Sequence, residues 1–364
     1  MQIGCTKKLL DALAITVGAT TPDKELFCWS ANLLKIRHRK AVVVVNDSSR
    51  FGFVLYGLKA RDLKQLQALI EDGIRQCLQD EGITAAVIDR YFAAAADVVF
   101  TKTRGRAAVA RLSKACQRAE LFADRLDNAE LYQTELSKTI NGELFKPAKD
   151  VDYAHPYELL IRDFKGLYGE KIIATKAADL LIRLDLGAYR ASRRVVVPLG
   201  VTFNELHDII QIAFDWQDSH LHEFNLFDEK GRCRINIISE FEDDFEPRQD
   251  CPIVLDKEIR VDGTIGDATK ITYSYDYGDG WIHDITVRAI VSDYDKNYPT
   301  CLMAEGNRPP EDVGGIPGFK AYLAIMNDPE HPEYAAMKSW TDSKGYKDFD
   351  IDAANRRLRY VLGR

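Results

Sequence analysis

The chain contains the stretch Tyr275-Asp276-Tyr277-Gly278-Asp279-Gly280-Trp281-Ile282-His283-Asp284, in which turn-forming residues separate two runs of strand-forming ones. Residues 271–277 and 281–291 alternate apolar and polar side chains, which is the pattern of half-buried strands. The glycines between the runs can take positive φ, and Asp279 suits a tight turn. The stretch therefore predicts a β-hairpin that reverses at Gly278-Asp279-Gly280.

Strand and helix patterns surround this hairpin. Further strands and closing helices are predicted at residues 179–186, 195–198 and 220–227, and at residues 317–327 and 351–362. Residues 188–194 are predicted to connect the first two of these strands. Thr202 and Glu205 have the spacing of a capping box, which predicts that a helix begins there. Strands followed by mixed helices indicate an α+β fold with a mostly antiparallel sheet packed against helices.

The first half of the chain has strands and helices of its own. Residues 41–45 and 51–56 predict a second hairpin, and the other elements are expected at residues 62–82, 85–95, 97–103 and 106–138. Residues 141–156 interrupt the periodicity, and Pro147 and Pro156 both disfavour helix. We therefore predict two domains, an α+β domain at residues 1–150 and a second domain at residues 156–364. A short helix at residues 157–167 is expected to lead into the second domain.

Composition excludes several classes of protein. The chain has 364 residues, 46% of them hydrophobic and 29% charged, without the run of about 18 apolar residues that a membrane span requires. Its N-terminus lacks the basic-then-apolar layout of a secretory signal. Seven dispersed cysteines fit reduced, mostly buried thiols better than a disulfide scaffold. We therefore expect a cytoplasmic protein that does not act at a membrane.

Charge is distributed unevenly along the chain. Residues 1–155 contain 23 Lys and Arg against 19 Asp and Glu, a net charge of +4, and residues 156–364 contain 26 against 37, a net charge of −11. The acidic half repels a phosphate backbone at long range. If nucleic acid is a partner, the mildly basic first half is the better candidate, although a solvated surface is the favoured interpretation of its charges.

Three histidines lie in the predicted strands of the second half. His220 and His222 project to one face of an extended strand, and His283 shares a face with Trp281. If the two strands are neighbours, the three imidazoles converge, and we expect His220 or His222 to lie within about 10 Å of His283 on adjacent strands. Imidazoles beside carboxylates are a reasonable shell for zinc, iron or manganese, although histidines that only stabilise strand packing are the more common case.

Other residues join this candidate surface from nearby segments. They are Trp216, Asp276, Asp279, Trp281, Glu311 and Asp312. The run Arg308-Pro309-Pro310-Glu311-Asp312-Val313-Gly314-Gly315 combines a rigid start with a flexible end, as functional loops often do. We expect this loop to lie over or beside the histidines, with its carboxylates directed inward.

The segments Trp216-Gln217-Asp218-Ser219-His220-Leu221-His222-Glu223-Phe224, the hairpin and the Pro-Pro-Glu-Asp loop occur in an order that resembles the plasmid pRiA4b ORF-3-like family. Members of that family are found on plasmids and near mobile elements, and the resemblance implies no particular activity. The family usually has a Cys before Pro-Pro-Glu-Asp, whereas this chain has Arg308, so a role for that Cys does not transfer. The first half, through its opening, the Trp29 segment, the valine strand and Lys102-Thr103-Arg104, resembles an uncharacterised bacterial domain.

Two functional hypotheses follow. The first is a non-enzymatic binding or interaction protein whose partner is a protein or a small molecule, because the usual P-loop, G-x-G-x-x-G, G-x-S-x-G and H-E-x-x-H signatures are missing. The alternative is a metal-dependent hydrolase, in which His220, His222 and His283 bind a divalent transition metal and Asp279 or Glu311 acts as the base.

Overall fold

The computed structural model describes residues 1–18, 24–147, 152–239 and 251–363. The chain divides into two compact units, Met1–Ala174 and Thr175–Leu362, and each combines helices with its own sheet, so the α+β, two-domain prediction is confirmed. Within the described ranges, none of the helices has both the length and the apolar character needed to cross a lipid bilayer.

The first unit contains a five-stranded sheet. Its strands are β1 (Gln2–Cys5), β2 (Cys28–Ile36), β3 (Arg39–Asn46), β4 (Gly52–Leu58) and β5 (Val99–Lys102). Their order is β4-β3-β2-β1-β5, with β1 parallel to β2 and β5 and the other pairs antiparallel. The predicted hairpin of the valine strand is present as β3 and β4.

Helices cover both faces of this sheet. They are α1 (Lys7–Leu13), α2 (Ala60–Leu63), α3 (Leu66–Asp80), α4 (Ala85–Ala95), α5 (Gly105–Leu121), α6 (Thr134–Asn141) and α7 (Pro156–Tyr168). Val42 and Val44 of β3 pack with α3, α4 and α7, whereas Val43 and Val45 pack with α5 and α6. Burial on both faces explains why residues 41–45 are a continuous apolar run rather than an alternating one.

Helix α7 differs from the sequence prediction. Instead of leading into the second unit, its residues Tyr157, Leu160 and Phe164 are buried in the core of the first. The compact unit accordingly extends to Ala174. The apolar stripe of α7 was visible in the sequence, but a stripe does not show which core it will cover.

The second unit contains an eight-stranded sheet. Its strands are β6 (Thr175–Leu186), β7 (Tyr189–Pro198), β8 (His222–Phe227), β9 (Cys233–Ile238), β10 (Ile253–Leu255), β11 (Lys270–Tyr275), β12 (Trp281–Tyr294) and β13 (Thr300–Glu305). They are ordered β10-β9-β8-β11-β12-β6-β7-β13, and every pair except β9 with β10 is antiparallel. The prediction of a mostly antiparallel sheet is confirmed.

Four helices accompany this sheet: α8 (Phe203–Phe214), α9 (Gly315–Met326), α10 (Tyr334–Ser343) and α11 (Ile351–Leu358). The capping box of α8 forms as predicted. The amide of Thr202 donates to Glu205 Oε2 at 2.7 Å, and the amide of Glu205 donates to Thr202 Oγ1 at 3.2 Å. The apolar stripe of α8 then packs against one face of the sheet. Short 3₁₀ turns occur at Glu25–Phe27, Ala123–Arg125 and Ile265–Asp267.

The central hairpin is β11 with β12, in a register that pairs Tyr275 with Trp281 and Tyr273 with His283. Its connection is longer than the three residues predicted, because β11 ends at Tyr275. Positive φ occurs at Asp276 (58°) and Gly280 (71°) but not at Gly278.

Two further predictions are wrong. Residues 189–194, expected to be a connection, are the first part of β7, and the turn before them is only Gly187-Ala188. Cys233 and Cys251 form a disulfide, while the other five cysteines are free and buried. Strand pairing between β9 and β10 brings these two cysteines together although they are 18 residues apart, a proximity without a short-range sequence signature. The strands β9, β10 and β13 and the helix α10 were not predicted either.

Candidate functional site

His220 lies outside the strand in which it was predicted. β8 begins at His222, and the connection from α8 turns at Asp215 and Asp218, which have φ of 63° and 53°. The two histidines therefore do not share a strand face. The side chain of His220 is 28% exposed, whereas His222 is buried.

The Nε2 atom of His220 faces three carboxylates. It lies 3.5 Å from Asp276 Oδ2, 3.9 Å from Glu311 Oε2 and 3.2 Å from Asp312 Oδ1. We call these four residues the His220 cluster. In the part of the chain that the structure describes, His220 Nε2 and Glu311 Oε2 are buried without a hydrogen bond of good geometry. One potential ligand atom from each of His220, Asp276 and Glu311 lies within 4.8 Å of the other two.

Asp276 is held in place by its own turn. Its Oδ1 accepts hydrogen bonds from the amides of Gly278 at 3.0 Å and Asp279 at 3.2 Å. Its amide donates to the carbonyl of Leu221, which ties the turn to the segment that carries His220. Positive φ, which Asp tolerates better than most residues, completes this arrangement. One carboxylate oxygen is thus used for structure, and the other, Oδ2, faces His220.

The two carboxylate oxygens of Glu311 also have different roles, one structural and one directed toward His220. Its Oε1 accepts from the amide of Gln217 at 2.9 Å and from the hydroxyl of Tyr275 at 3.3 Å. The hydroxyl of Tyr275 in turn accepts from the amide of Ser219 at 2.9 Å. Glu311 is only 2% exposed, so its second oxygen is kept from solvent while it faces His220.

The Pro-Pro-Glu-Asp loop lies beside the cluster, as its composition predicted. The amide of Gly314 donates to Asp279 Oδ2 at 3.1 Å, so Asp279 attaches the loop to the hairpin turn instead of reaching His220. Lys344 donates to the outer oxygen of Asp312 at 2.6 Å. Gly315, with φ of 64°, approaches the turn so closely that a Cβ there would lie 2.8 Å from the Asp279 carbonyl oxygen.

Burial and charge act differently on the two loop carboxylates. Burial raises the pKa of Glu311, against the opposing effects of the Gln217 amide and the Arg308 guanidinium. The hydrogen bond from Lys344 lowers the pKa of Asp312. The cluster therefore contains a desolvated carboxylate, Glu311, with one oxygen that lacks a hydrogen bond. Beside it lies a half-exposed carboxylate, Asp312, that is already paired with Lys344.

The cluster opens onto a surface depression of about 510 Å³. Its lining residues are Asp218, Ser219, His220, Leu221, Asp276, Tyr277 and Gly278. Tyr277 belongs to the turn and is 52% exposed, whereas Tyr273 and Tyr275 of β11 are buried. The depression gives a ligand access to the exposed edge of the His220 ring.

His283 and its aromatic neighbours are in the core instead. His283 is fully buried, its Nδ1 lies 3.3 Å from the Tyr273 carbonyl, and Trp216 Nε1 donates to its Nε2 at 3.3 Å. Burial lowers the pKa of His283 to about 3. Both ring nitrogens are engaged, so His283 supports the sheet packing and is not placed to bind a ligand. Trp216 and Trp281 are also buried and pack 6.0 Å apart.

His222 belongs to a second buried group. Its ring stacks on that of His207 at 3.6 Å, and its Nε2 lies 3.1 Å from Asp256 Oδ2. His207 contacts the Tyr273 hydroxyl through Nδ1 and Asp218 Oδ1 through Nε2, each at 2.8 Å. Burial and the neighbouring His222 lower the pKa of His207 to about 4. His207, Asp208 and Asp218 are close enough to share a cation, but both nitrogens of His207 already have partners.

His207 was not among the residues predicted from the sequence. A signal was present, because His207 follows Phe203 by four residues and therefore lies on the apolar face of α8. A histidine on the buried face of a well-capped helix needs polar partners inside the core.

The prediction that the histidine strands are adjacent is wrong. β11 lies between β8 and β12. The ring of Tyr273 on β11 lies 5.9 Å from His222 and 5.1 Å from His283, so an aromatic side chain separates the two imidazoles. Alternation within a strand predicts the face of a side chain but not the order of strands in the sheet.

Arg308, which stands where the family usually has a cysteine, is buried. Its Nε donates to the Asp215 carbonyl at 2.8 Å, and its guanidinium lies 4.8 Å from the Trp216 ring and 5.6 Å from the Tyr346 ring. These contacts fix the start of the Pro-Pro-Glu-Asp loop.

Comparison with known proteins matches the two units separately. The family model described as plasmid pRiA4b ORF-3-like protein matches residues 176–357, and a domain of unknown function, DUF6933, matches residues 2–159. The uncharacterized protein y4hQ of Sinorhizobium fredii is 34% identical over 165 residues, which are 45% of this chain and 78% of that protein.

A solved structure is also similar. The protein of unknown function MM3350 from Methanosarcina mazei Go1 is 30% identical and matches with a TM-score of 0.40, over 48% of this chain and 93% of that one. The order of the three motifs, the family match and the relative together show that this chain belongs to the plasmid pRiA4b ORF-3-like family.

Proposed function

We propose that the second unit is a divalent-metal-binding module that holds a transition-metal ion with His220, Asp276 and Glu311. The observation that carries this proposal is the convergence of three carboxylates on one imidazole nitrogen, His220 Nε2, together with Glu311 Oε2, which is buried without a hydrogen bond within the described part of the chain. A buried carboxylate oxygen without a hydrogen bond is unfavourable, so its position opposite His220 Nε2 indicates a missing ligand.

A protonated His220 does not balance the cluster as well as a metal does. Its Nε2 has one hydrogen and can donate well to only one of the three carboxylates. A divalent cation at the same point compensates several carboxylates together. Two ligands that are each about 2.0–2.2 Å from one ion in a tetrahedral arrangement are about 3.3–3.6 Å apart. Of the two proposed carboxylate ligands, Asp276 Oδ2 lies 3.5 Å from His220 Nε2, within this spacing, and Glu311 Oε2 lies 3.9 Å from it, slightly beyond.

One imidazole with two carboxylates suits zinc, manganese or iron better than calcium, which prefers oxygen ligands alone. Three protein ligands would leave positions for a further ligand, and the surface depression, which His220 and Asp276 line, would give it access. The function proposed is therefore non-enzymatic, metal-dependent binding of a partner or small molecule that supplies an oxygen ligand. This revises the ligand set predicted from the sequence, because His222 and His283 have partners in the core.

Hydrolysis is the second candidate function. The observation that favours it is Asp312, whose side chain is 48% exposed and lies 3.2 Å from His220. A bound ion would supply Lewis acidity at this point, and Asp312 would then be the side chain placed to hold a proton, the role that the sequence pattern favoured for Asp279 or Glu311. Asp279 instead binds the Gly314 amide, and Glu311 is assigned as a ligand.

We further propose a cytoplasmic location and an association with plasmids or mobile elements. Five buried free thiols support the first, and the family to which the chain belongs supports the second. The disulfide between Cys233 and Cys251 is an exception to a fully reduced chain.

The test is elemental analysis of the full-length protein after purification without chelator, with zinc, manganese and iron(II) uptake measured by equilibrium dialysis. We expect about one ion per chain in the native protein. Glu311→Gln, which keeps the acceptor for Gln217 but removes the charge, and His220→Ala should both lose it. Glu258→Gln and His331→Gln, at positions away from the cluster, are the matched controls.

Absence of metal from the native protein, together with no uptake, would contradict the proposal. Release of p-nitrophenol from a phosphate or acetate ester by the loaded protein, lost in His220→Ala, would favour hydrolysis over binding alone.

A further inference from the structure

The end of the β2–β3 hairpin in the first unit is strongly basic. It consists of Lys35-Ile36-Arg37-His38-Arg39-Lys40, which we call the basic hairpin. Ile36 is buried, whereas Lys35, Arg37, His38 and Arg39 are exposed and Lys40 is partly exposed. A hairpin end with five basic side chains and no acidic one creates a local positive potential in a chain whose net charge is −7.

The strand register makes this arrangement unfavourable for folding. Lys35 and Lys40 are directly opposite one another on β2 and β3. Like charges at opposite positions of an antiparallel pair destabilise it. Among the described residues, neither lysine forms an ion pair with a carboxylate that would compensate this repulsion.

The turn is unfavourable as well. Arg37 and His38 are its two central residues, with φ of 44° and 67°. A two-residue turn with positive φ at both positions favours Asn-Gly, because Gly lacks a Cβ and the short side chain of Asn can hydrogen-bond locally, whereas a long side chain such as that of Arg37 is strained there. The hairpin therefore carries backbone strain and charge repulsion in the same six residues, and such strain is characteristic of functional sites.

The basic surface continues beside the hairpin. A cavity of about 820 Å³ is lined by Arg39 and Lys40 together with Lys59 and Arg61, against two acidic residues, Asp62 and Glu130. Asp62 is already engaged, since it accepts from the Lys59 amide at 2.7 Å and lies 3.5 Å from Arg61. The cavity thus has an excess of positive charge.

We propose that the basic hairpin and this cavity bind the phosphate backbone of double-stranded DNA. Lysine and arginine side chains that neutralise phosphates supply most of the affinity of such contacts. Single-stranded nucleic acid is less favoured, because its binding uses exposed aromatic rings for stacking. The aromatic residue of the lining is Tyr56, which is 2% exposed. The charge count of residues 1–155 alone favoured a solvated surface. The opposed lysines and the strained turn are the additional observations that favour DNA binding.

The experiment measures the fluorescence anisotropy of a labelled DNA duplex of about 20 base pairs with the full-length protein, between about 50 and 200 mM NaCl. We expect Lys35→Gln combined with Lys40→Gln to weaken binding about 100-fold at the lowest salt. The slope of log K against log salt is negative, and its magnitude should decrease by about 1.8. This corresponds to about 0.9 for each phosphate that the variant no longer neutralises. The same double variant should have an unchanged or higher Tm, because the like-charge pair is removed.

The control is Arg162→Gln combined with Lys165→Gln on α7, two cations that lie 3.5 Å from Asp163 and 3.1 Å from Glu170. It removes the same charge from the opposite end of β3, where Ser48 bonds Asp163 of that helix. A second variant, Arg37→Asn with His38→Gly, should raise Tm and weaken DNA binding together, which separates the proposal from a folding defect.

Several results would overturn the proposal. One is that the native protein does not bind the duplex at the lowest salt, and another is that the control variant weakens binding equally. A third is that a single strand binds more tightly than the duplex. Equally tight binding to polyglutamate would also overturn it and would indicate an acidic protein partner.

Discussion

Nε2 of His220 lies 3.9 Å from Oε2 of Glu311, and neither atom has a well-formed hydrogen bond within the described part of the chain. The two residues are 91 positions apart in the sequence. They meet because the hairpin turn is tied to Leu221 through Asp276 and to the Pro-Pro-Glu-Asp loop through Asp279. The stability of this turn and loop therefore determines whether the cluster forms.

We predict that Gly280→Val destabilises the second unit by about 1–3 kcal/mol, because Gly280 has φ of 71° and a β-branched residue resists that conformation. Urea unfolding of the full-length protein measures the change. Gly278→Ala is the comparison, since Gly278 does not have positive φ and a Cβ there would lie 3.2 Å from Asp276 Oδ1. An equal or larger destabilisation at Gly278 would contradict this account of the turn.

The close approach of Gly315 gives a prediction about the site itself. A Cβ at Gly315 would meet the Asp279 carbonyl oxygen at 2.8 Å, so Gly315→Ala should move the loop and displace Glu311. We expect metal affinity to fall about tenfold or more, which titration calorimetry measures. Gly200→Ala, where a Cβ would meet nothing within 4 Å, is the control. Unchanged affinity in Gly315→Ala would show that the loop does not position Glu311.

His283 gives a pH-dependent prediction. Its pKa falls from an ordinary 6.5 to about 3 in the folded state, so protons bind the unfolded chain first as the pH decreases. The free energy of unfolding therefore decreases progressively as the pH falls below about 6.5. His283→Gln keeps an acceptor for Trp216 and a donor for the Tyr273 carbonyl but does not titrate.

The stability advantage of the native protein over His283→Gln should accordingly narrow by about 2–3 kcal/mol between about pH 7 and pH 4.5. Urea unfolding across this range measures it, and taking the difference cancels other groups such as Asp208, whose pKa is raised to about 6 by burial. A difference that is constant with pH would show that His283 is not buried as a neutral ring.

The position of α7 predicts how the chain can be divided. A fragment of residues 1–174 should fold and melt cooperatively, whereas a fragment of residues 1–150, the first domain predicted from the sequence, lacks Tyr157, Leu160 and Phe164. Absence of these buried side chains should destabilise the shorter fragment by several kcal/mol. Thermal melting followed by circular dichroism compares them. Equal stability would favour a boundary near residues 150–156.

Local features of this fold were predictable from sequence. Thr202 and Glu205 form their capping box, and Gly280 takes positive φ, because both depend on neighbouring residues only. These interactions are short-range. The composition of the Pro-Pro-Glu-Asp loop indicated inward carboxylates, but the contact of Glu311 with His220 depends on how the loop packs on the hairpin turn.

Features that depend on the arrangement of whole elements were not predictable. Alternation placed His220 in a strand, but positive φ at Asp218 turns the chain before β8 begins. It also placed His222 and His283 on the same sheet face without showing that β11 lies between them. The core to which α7 belongs depends on long-range packing in the same way.

An anomalous difference map from crystals of the protein soaked in manganese or zinc would show whether the His220 cluster binds a metal ion. We expect one peak about 2.0–2.3 Å from each of His220 Nε2, Asp276 Oδ2 and Glu311 Oε2. No peak there, with His220 instead donating a short hydrogen bond to Asp312, would contradict the proposed metal site.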